Sequence, residues 1–334
     1  MDAKISATNE PAHISVRGFV ADYLELAKAR LGALVVLTAL VGYVLGARGN
    51  PSLWTLLCTV AGTALSAFGA NIFNQWWEVE RDRRMLRTRE RPLPAGRVSR
   101  RRAAVMGVVT ATAGLVILAL GTNLLTTMLS LSVILIYVLV YTPLKVHTPL
   151  NTVVGAMCGA VPPMMGWAAA TGRLDAGAWI LGGLLFVWQM PHFLALAWLY
   201  REDYARGGFR MLPAVDPEGR LTGRLAFVYA AALLPVTAAL SVVGVTGATF
   251  LFASQVAGIA FVVLGWTFFR ARSEATARRL FLASILYLPV VMGLMVVDMD
   301  NRLTGGDSPG RHSVAAASAS VVTVTEQPAS PTSL

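Results

Sequence analysis

Long apolar runs alternate with short polar connections along most of this chain. Nine runs are long enough to cross a hydrocarbon core about 30 Å thick as helices. They fall at 31–47, 53–75, 103–121, 124–141, 150–171, 176–199, 225–244, 248–269 and 280–297. A polar, mixed-charge stretch precedes the first run and no small-residue cleavage site follows it, so it reads as a retained span and not a removed signal peptide. The pattern predicts an all-α integral membrane protein, a bundle of nine transmembrane helices over 31–300. Residues 1–30 form a cytoplasmic leading segment, and 301–334, rich in Ser, Ala, Thr and Pro, read as a disordered tail.

Composition agrees: 55% of the 334 residues are hydrophobic and 14% charged, which excludes an ordinary soluble globule. A net charge of +10 raises the possibility of a nucleic-acid partner. The chain has no zinc-finger spacing, no aromatic RNA-binding pattern and no separate basic domain, so none is expected. With the N-terminus in the cytoplasm, 24 of the 28 Lys and Arg fall on that side, leaving Arg48, Arg173, Arg302 and Arg311 opposite. This positive-inside bias means that most of the charge describes topology and contact with membrane lipid.

Orientation does not require acids, yet the two longest connections, 76–102 and 200–224, carry eight of the 18. If the second span continues as a helix through "NIFNQWWEVERDRRMLRTRERPLPAG" (71–96), Asn74, Glu78 and Asp82 fall within about 80° of one another, with Asn71 in the same arc. One amide and two carboxylates on one face suit magnesium, which uses few carboxylates plus substrate phosphates. Glu80 points away. Arg87 and Arg91 form a second i, i+4 pair suited to phosphate oxygens, and Pro92 and Pro94 then end the helix and turn the chain back. Together these groups describe a diphosphate site; equally, spacing alone allows the charges to pair with one another at the membrane surface.

The same stretch resembles the first signature of the UbiA-type intramembrane prenyltransferases. "YTPLKVHTPLNTVVGAMCGAVPPMMGWAAATG" (141–172) and "WQMPHFLALAWLYREDYARGGFRMLP" (188–213) are similar to the protoheme IX farnesyltransferase, or heme o synthase, branch of that family. The likeness covers roughly 20–300 and implies nine helices. It departs from the family in Glu78, where many members carry Asp, and in Arg81, where an apolar or Tyr side chain is usual. The resemblance implies transfer of a farnesyl group from farnesyl diphosphate to a vinyl group of heme b, in the membrane of a bacterial cell with the active-site loops in the cytoplasm. A downstream heme a synthase is a further partner it implies. On this reading Asn74, Glu78 and Asp82 hold Mg2+, and Arg87, Arg91 and Lys145 bind the diphosphate. Asn71, Asn74, Arg87, Arg91, Lys145 and His192 form the catalytic set. Asp203 matches by position a second acidic motif for diphosphate or metal, although the DxxxD pair is absent and a salt bridge to Arg201 or Arg206 is the alternative.

His192 is the one histidine within an expected span. Imidazole there is either a buried hydrogen-bonding partner or, as the resemblance implies, a heme-handling group: an iron ligand, an orienting group or an acid-base catalyst. Cys58 and Cys158 lack metal or redox spacing and read as packing residues. Pro162 and Pro163 suggest a bend and close helix contact, while Trp76 and Trp77 suit the membrane interface. Two other functions fit parts of the pattern. A carrier with broken helices would need its ionisable groups near mid-membrane, and a prenyltransferase for a quinone precursor or chlorophyllide would share the diphosphate site.

Overall fold

The computed structural model describes residues 16–304. In order, the elements are α1 (Val16–Leu26), α2 (Ala29–Ala47), α3 (Leu53–Asp82), α4 (Arg100–Gly121), α5 (Leu124–Leu135), a π-helical turn (Ile136–Tyr141) and α6 (Thr142–Leu144). After these come α7 (Asn151–Thr171), α8 (Ala176–Leu199), α9 (Arg201–Arg206), α10 (Leu212–Val215), α11 (Arg220–Val242), α12 (Ala248–Ala271) and α13 (Glu274–Thr304). Among the described residues nine helices are long and apolar enough to span a membrane, with α5 through α6 counted as one rod. Residues 1–15 and 305–334, which contain much of the expected leading segment and tail, lie outside the described residues.

The spans pack as two neighbourhoods. In one, α3 packs on α2, α4 and α5, and α7 on α2 and α5; in the other, α8 packs on α11 and α13, and α12 on both α11 and α13. The α7–α8 and α2–α13 contacts join them. Lipid gives apolar side chains no reason to leave the surface, and Leu120, Val242, Phe252 and Leu286 all face outward. Helix association must therefore come from close fit. At the α2–α7 crossing a methyl group on Gly42 would strike the Pro163 carbonyl, and one on Gly166 the Ala39 carbonyl. Gly69 lies against Ala111 in the same way where α3 meets α4. Pro162 and Pro163 thus sit at a close contact, inside a helix that remains continuous.

Two features at the ends of the spans shape the site. Helix α3 continues past residue 75 to Asp82, the continuation that puts Asn74, Glu78 and Asp82 on one face, and carries about two helical turns beyond the apolar run. Before α2, residues expected to be a plain polar lead form α1, with the apolar Phe19, Val20 and Leu24 exposed along it and Leu26 buried at its C-terminal end. That is the pattern of a helix lying along a membrane surface. An elbow at Lys28 joins α1 to α2 (φ 50°, ψ 52°). The side chains of α3 fasten this elbow: Asn71 Nδ2 donates to the Ala27 carbonyl at 3.1 Å, and Gln75 Nε2 to the carbonyls of Glu25 and Leu26 at 3.0 and 2.8 Å.

Candidate active site

One face of α3 carries Asn74, Glu78 and Asp82, all buried. Each meets a cation from a different part of the chain. Lys28 Nζ donates to Asn74 Oδ1 at 2.7 Å, Lys145 Nζ to Glu78 Oε1 at 2.8 Å, and Arg91 Nη1 to Asp82 Oδ2 at 2.8 Å. Asn74 Nδ2 in turn donates to Thr142 Oγ1 at 3.1 Å. Thr142 is placed by the π turn, where its amide and its hydroxyl both reach the Tyr137 carbonyl, the hydroxyl at 2.8 Å. Pro143 follows at once; in a regular helix its ring would clash with the Leu139 carbonyl, and the wider turn relieves that crowding.

Three cations face two carboxylates here, so the cluster carries one surplus positive charge while Lys28 is protonated. Burial alone favours neutral groups. It pushes Lys28 down from 10.5 to about 7, helped by Arg91 and Lys145 and opposed by Glu78 and Asp82. Lys145 goes the other way: burial would lower it, but Glu78 outweighs burial and holds the ammonium well above its ordinary value. Pairs as enclosed as Lys145–Glu78 and Arg91–Asp82 are costly to break, about 3–5 kcal/mol when one partner is removed. An arriving anion can instead recruit the cations while a divalent ion takes the carboxylates. The donor set fits magnesium in that role: Glu78 Oε2 and Asp82 Oδ1 lie outside the ion pairs, and two carboxylates with an amide are the few protein ligands that ion uses beside phosphate.

The structure separates Arg87 from Arg91, which the sequence pattern joined as one helical pair. Helix α3 stops at Asp82, and 83–98 run as successive turns, so four-residue spacing no longer means a shared face. Pro92 and Pro94 therefore do not end the helix, which has finished ten residues before them. The cause is tertiary. Thr88 Oγ1 takes the Asp82 carbonyl at 2.9 Å, and Asp203 accepts from the amides of Leu86 and Arg87 at 2.8 and 3.3 Å. Arg91 reaches Asp82; Arg87 instead lies over the rings of Tyr200 and Tyr204, at 4.6 and 5.5 Å.

Asp203, expected at the diphosphate or metal, is likewise occupied elsewhere. Besides those two amides it accepts from Arg206 at 3.0 Å, which realises the salt-bridge alternative. Burial would raise its carboxyl, but the Leu86 amide, Arg206 and the Arg87 amide together hold it below the ordinary value. It clamps the loop. A cleft of about 260 Å3 opens beside it, lined by Arg87, Tyr200, Arg201, Glu202 and Arg206. A larger concavity of about 640 Å3, between α1 and the start of α4, holds neither Glu78 nor Asp82.

Asn71 lies on the expected arc but directs its amide at the elbow, about two turns or more from the carboxylates. Glu80 points away as expected and pairs with Arg83 on the surface. His192 is not drawn into the cluster: its polar and ring contacts are Ser284 and Phe281 on α13, and Trp188 and Phe193 on its own helix. Trp188 and Trp198 are buried in the core, whereas Trp77 is exposed. The cysteines are free and buried. Lys28, Thr142 and the Tyr200–Tyr204 pair went unseen in the sequence. Only Lys28 left a signal there, as a cation directly ahead of the first span.

The family model for the UbiA prenyltransferase family matches residues 35–288. A protoheme IX farnesyltransferase of Solibacter usitatus is 41% identical over 286 residues, covering 83% of this chain and 98% of that protein. The mitochondrial protoheme IX farnesyltransferase of Homo sapiens is 42% identical, covering 86% of this chain and 63% of that longer one. The fold matches solved structures too. A structure of digeranylgeranylglyceryl phosphate synthase superposes with a TM-score of 0.71 at 16% identity, covering 84% of this chain and 98% of that one. A UbiA homolog from Archaeoglobus fulgidus, solved with GPP and Mg2+, gives 0.60 at 15% identity, with 82% and 99% covered. This chain therefore belongs to the UbiA prenyltransferase family and, within it, to the protoheme IX farnesyltransferases.

Proposed function

We infer that this chain joins the farnesyl group of farnesyl diphosphate to a vinyl group of heme b, giving a hydroxyethylfarnesyl heme. The observation that carries the diphosphate half is the buried cluster at one end of the bundle, with more cations than carboxylates. Its members sit where helices end: Lys28 before α2, Asp82 closing α3, Lys145 just after α6. A carrier working at mid-membrane has no use for that placement.

In the reaction the allylic carbon–oxygen bond breaks and its electron pair leaves with the diphosphate. The allylic cation is attacked by the vinyl group, water adds to the new cation beside the porphyrin, and a proton is released. Lys28, Arg91 and Lys145 would hold the diphosphate oxygens and stabilise the charge that grows on them. Magnesium, held by Glu78, Asp82 and Asn74, would neutralise the same leaving group. Thr142 orients Asn74, and the Asn71 and Gln75 amides keep Lys28 in reach. Apolar helices would enclose the farnesyl chain and keep water from the allylic cation until the new carbon–carbon bond exists. The cluster would face the cytoplasm of a bacterial cell, the side that carries most Lys and Arg.

Membranes containing the protein, incubated with heme b, farnesyl diphosphate and magnesium, are expected to yield farnesylated heme by mass spectrometry. Absence of that product, with prenylation of an aromatic quinone precursor or chlorophyllide in a parallel incubation, would replace heme as the acceptor.

A further inference from the structure

His192 lies within α8 with its imidazole in the seam between α8 and α13. Its Nδ1 is 2.7 Å from Ser284 Oγ, and Ser284 is fully buried. That hydroxyl lies 2.6 Å from the Phe281 carbonyl, which can only accept. A serine has a single hydroxyl proton. Once it is donated to Phe281, Ser284 Oγ can only accept toward His192, so Nδ1 must carry the imidazole proton. Nε2 is left with the lone pair, and no partner for it occurs among the described residues.

The ring cannot easily turn to exchange its nitrogens. Trp188 stacks on it at 5.2 Å and 23°, Phe281 lies at 4.9 Å and 32°, and Phe193 meets it edge-on at 5.4 Å. Ser284 is held from its other end as well, since Trp188 Nε1 donates to its carbonyl at 2.9 Å. Residues one turn apart on α8 thus clasp one residue of α13. A buried imidazole kept neutral, with one nitrogen tied to a fixed acceptor and the other free, is how proteins prepare a histidine to bind a metal.

We propose that Ser284 is a positioning residue that fixes His192 as the Nδ1–H tautomer, so that Nε2 is offered to the iron of heme b during farnesyl transfer. This rests on the heme reading above. It assigns the ligating atom and the residue that controls it, and it separates the two substrates: iron is held in the α8–α13 seam, diphosphate by the cluster around α3.

The test uses the purified full chain with ferrous heme b. Resonance Raman spectroscopy of the wild type should show an iron–histidine stretch that His192→Gln abolishes. Ser284→Ala should weaken or split that band and lower heme affinity ~10-fold, in line with the loss of outer hydrogen-bond partners at metal sites. Ser284→Thr, which keeps the hydroxyl, should restore both, and farnesyl diphosphate affinity should stay constant throughout. A Ser284→Ala variant with the wild-type band and affinity would overturn the proposal. Should that variant not fold, 15N spectra of histidine-labelled wild type, with His192 assigned by its loss in His192→Gln, report the tautomer directly; an Nε2–H signal would overturn it equally. Wild type that makes farnesylated heme without an iron–histidine band would defeat this inference and leave the heme reading standing. Wild type that makes none would defeat the reading itself.

Discussion

Lys28 reaches Asn74 from a backbone conformation that side chains other than glycine rarely adopt, at φ 50°. Such a residue costs roughly 1–2 kcal/mol and persists only where its surroundings hold it. Here the surroundings are the Asn71 and Gln75 amides on the preceding carbonyls. The arrangement makes sense if the amine is needed on the diphosphate. Lys28→Ala should then raise the KM for farnesyl diphosphate ~10-fold or more, the loss expected for one charge-assisted hydrogen bond. Lys28→Gly relaxes the backbone but also lacks the amine, so it should lose the same affinity. Recovery in the glycine variant, measured by steady-state kinetics, would assign the defect to strain. The stretch "ELAKARLG" shows a cation ahead of the first span but not its partner, because the residue's importance comes from an elbow that only α3 creates. Asn74, Glu78 and Asp82 were legible for the opposite reason: a helix fixes which of its own residues share a face.

At the scale of elements, that rule fails where the helix stops. Arg87 and Arg91 share a face only in a helix that runs on, and Thr88 and Asp203 divert the chain after Asp82. The nine spans survive sequence reading because each is decided by its own apolar run. The loop is decided by α9, more than a hundred residues away, and no local pattern records that. Asp203 and Asp82 consequently have separable roles. Asp82→Asn should lose activity that added magnesium does not restore, with the protein still inserted in the membrane. Asp203→Asn should lower the thermal midpoint and reduce turnover by loosening Leu86 and Arg87, while the magnesium concentration for half-maximal rate stays put. A magnesium shift in the Asp203 variant would return that residue to the metal. Helix contacts make a third case: Gly166→Val pushes a branched side chain into the Ala39 carbonyl. Overpacking of this kind costs about 1–3 kcal/mol, so the thermal midpoint in detergent should fall even though Gly166 touches no site residue.

For the molecule as a whole, the distribution of charge and the position of the site express one asymmetry. Lys28, Asp82, Arg91, Lys145 and Asp203 lie at the same end of the spans as most of the arginines, while the opposite connections hold Arg48 and Arg173. On the proposed function, a site at that end would admit a charged diphosphate head from water, and the apolar helices beside it would take the hydrocarbon tail. Orientation then decides which compartment supplies farnesyl diphosphate. If the basic end is cytoplasmic, cysteines introduced at exposed Arg84 or Arg89 in a variant lacking Cys58 and Cys158 should react with an impermeant maleimide only after cells are opened. A cysteine at exposed Asn50, between α2 and α3, should react in intact spheroplasts. The reverse pattern would place the diphosphate cluster on the outer face, where a soluble cytoplasmic substrate could not reach it. The positive-inside bias would then have misread the molecule while leaving every contact inside the site unchanged. The labelling experiment therefore tests the direction of supply independently of the chemistry.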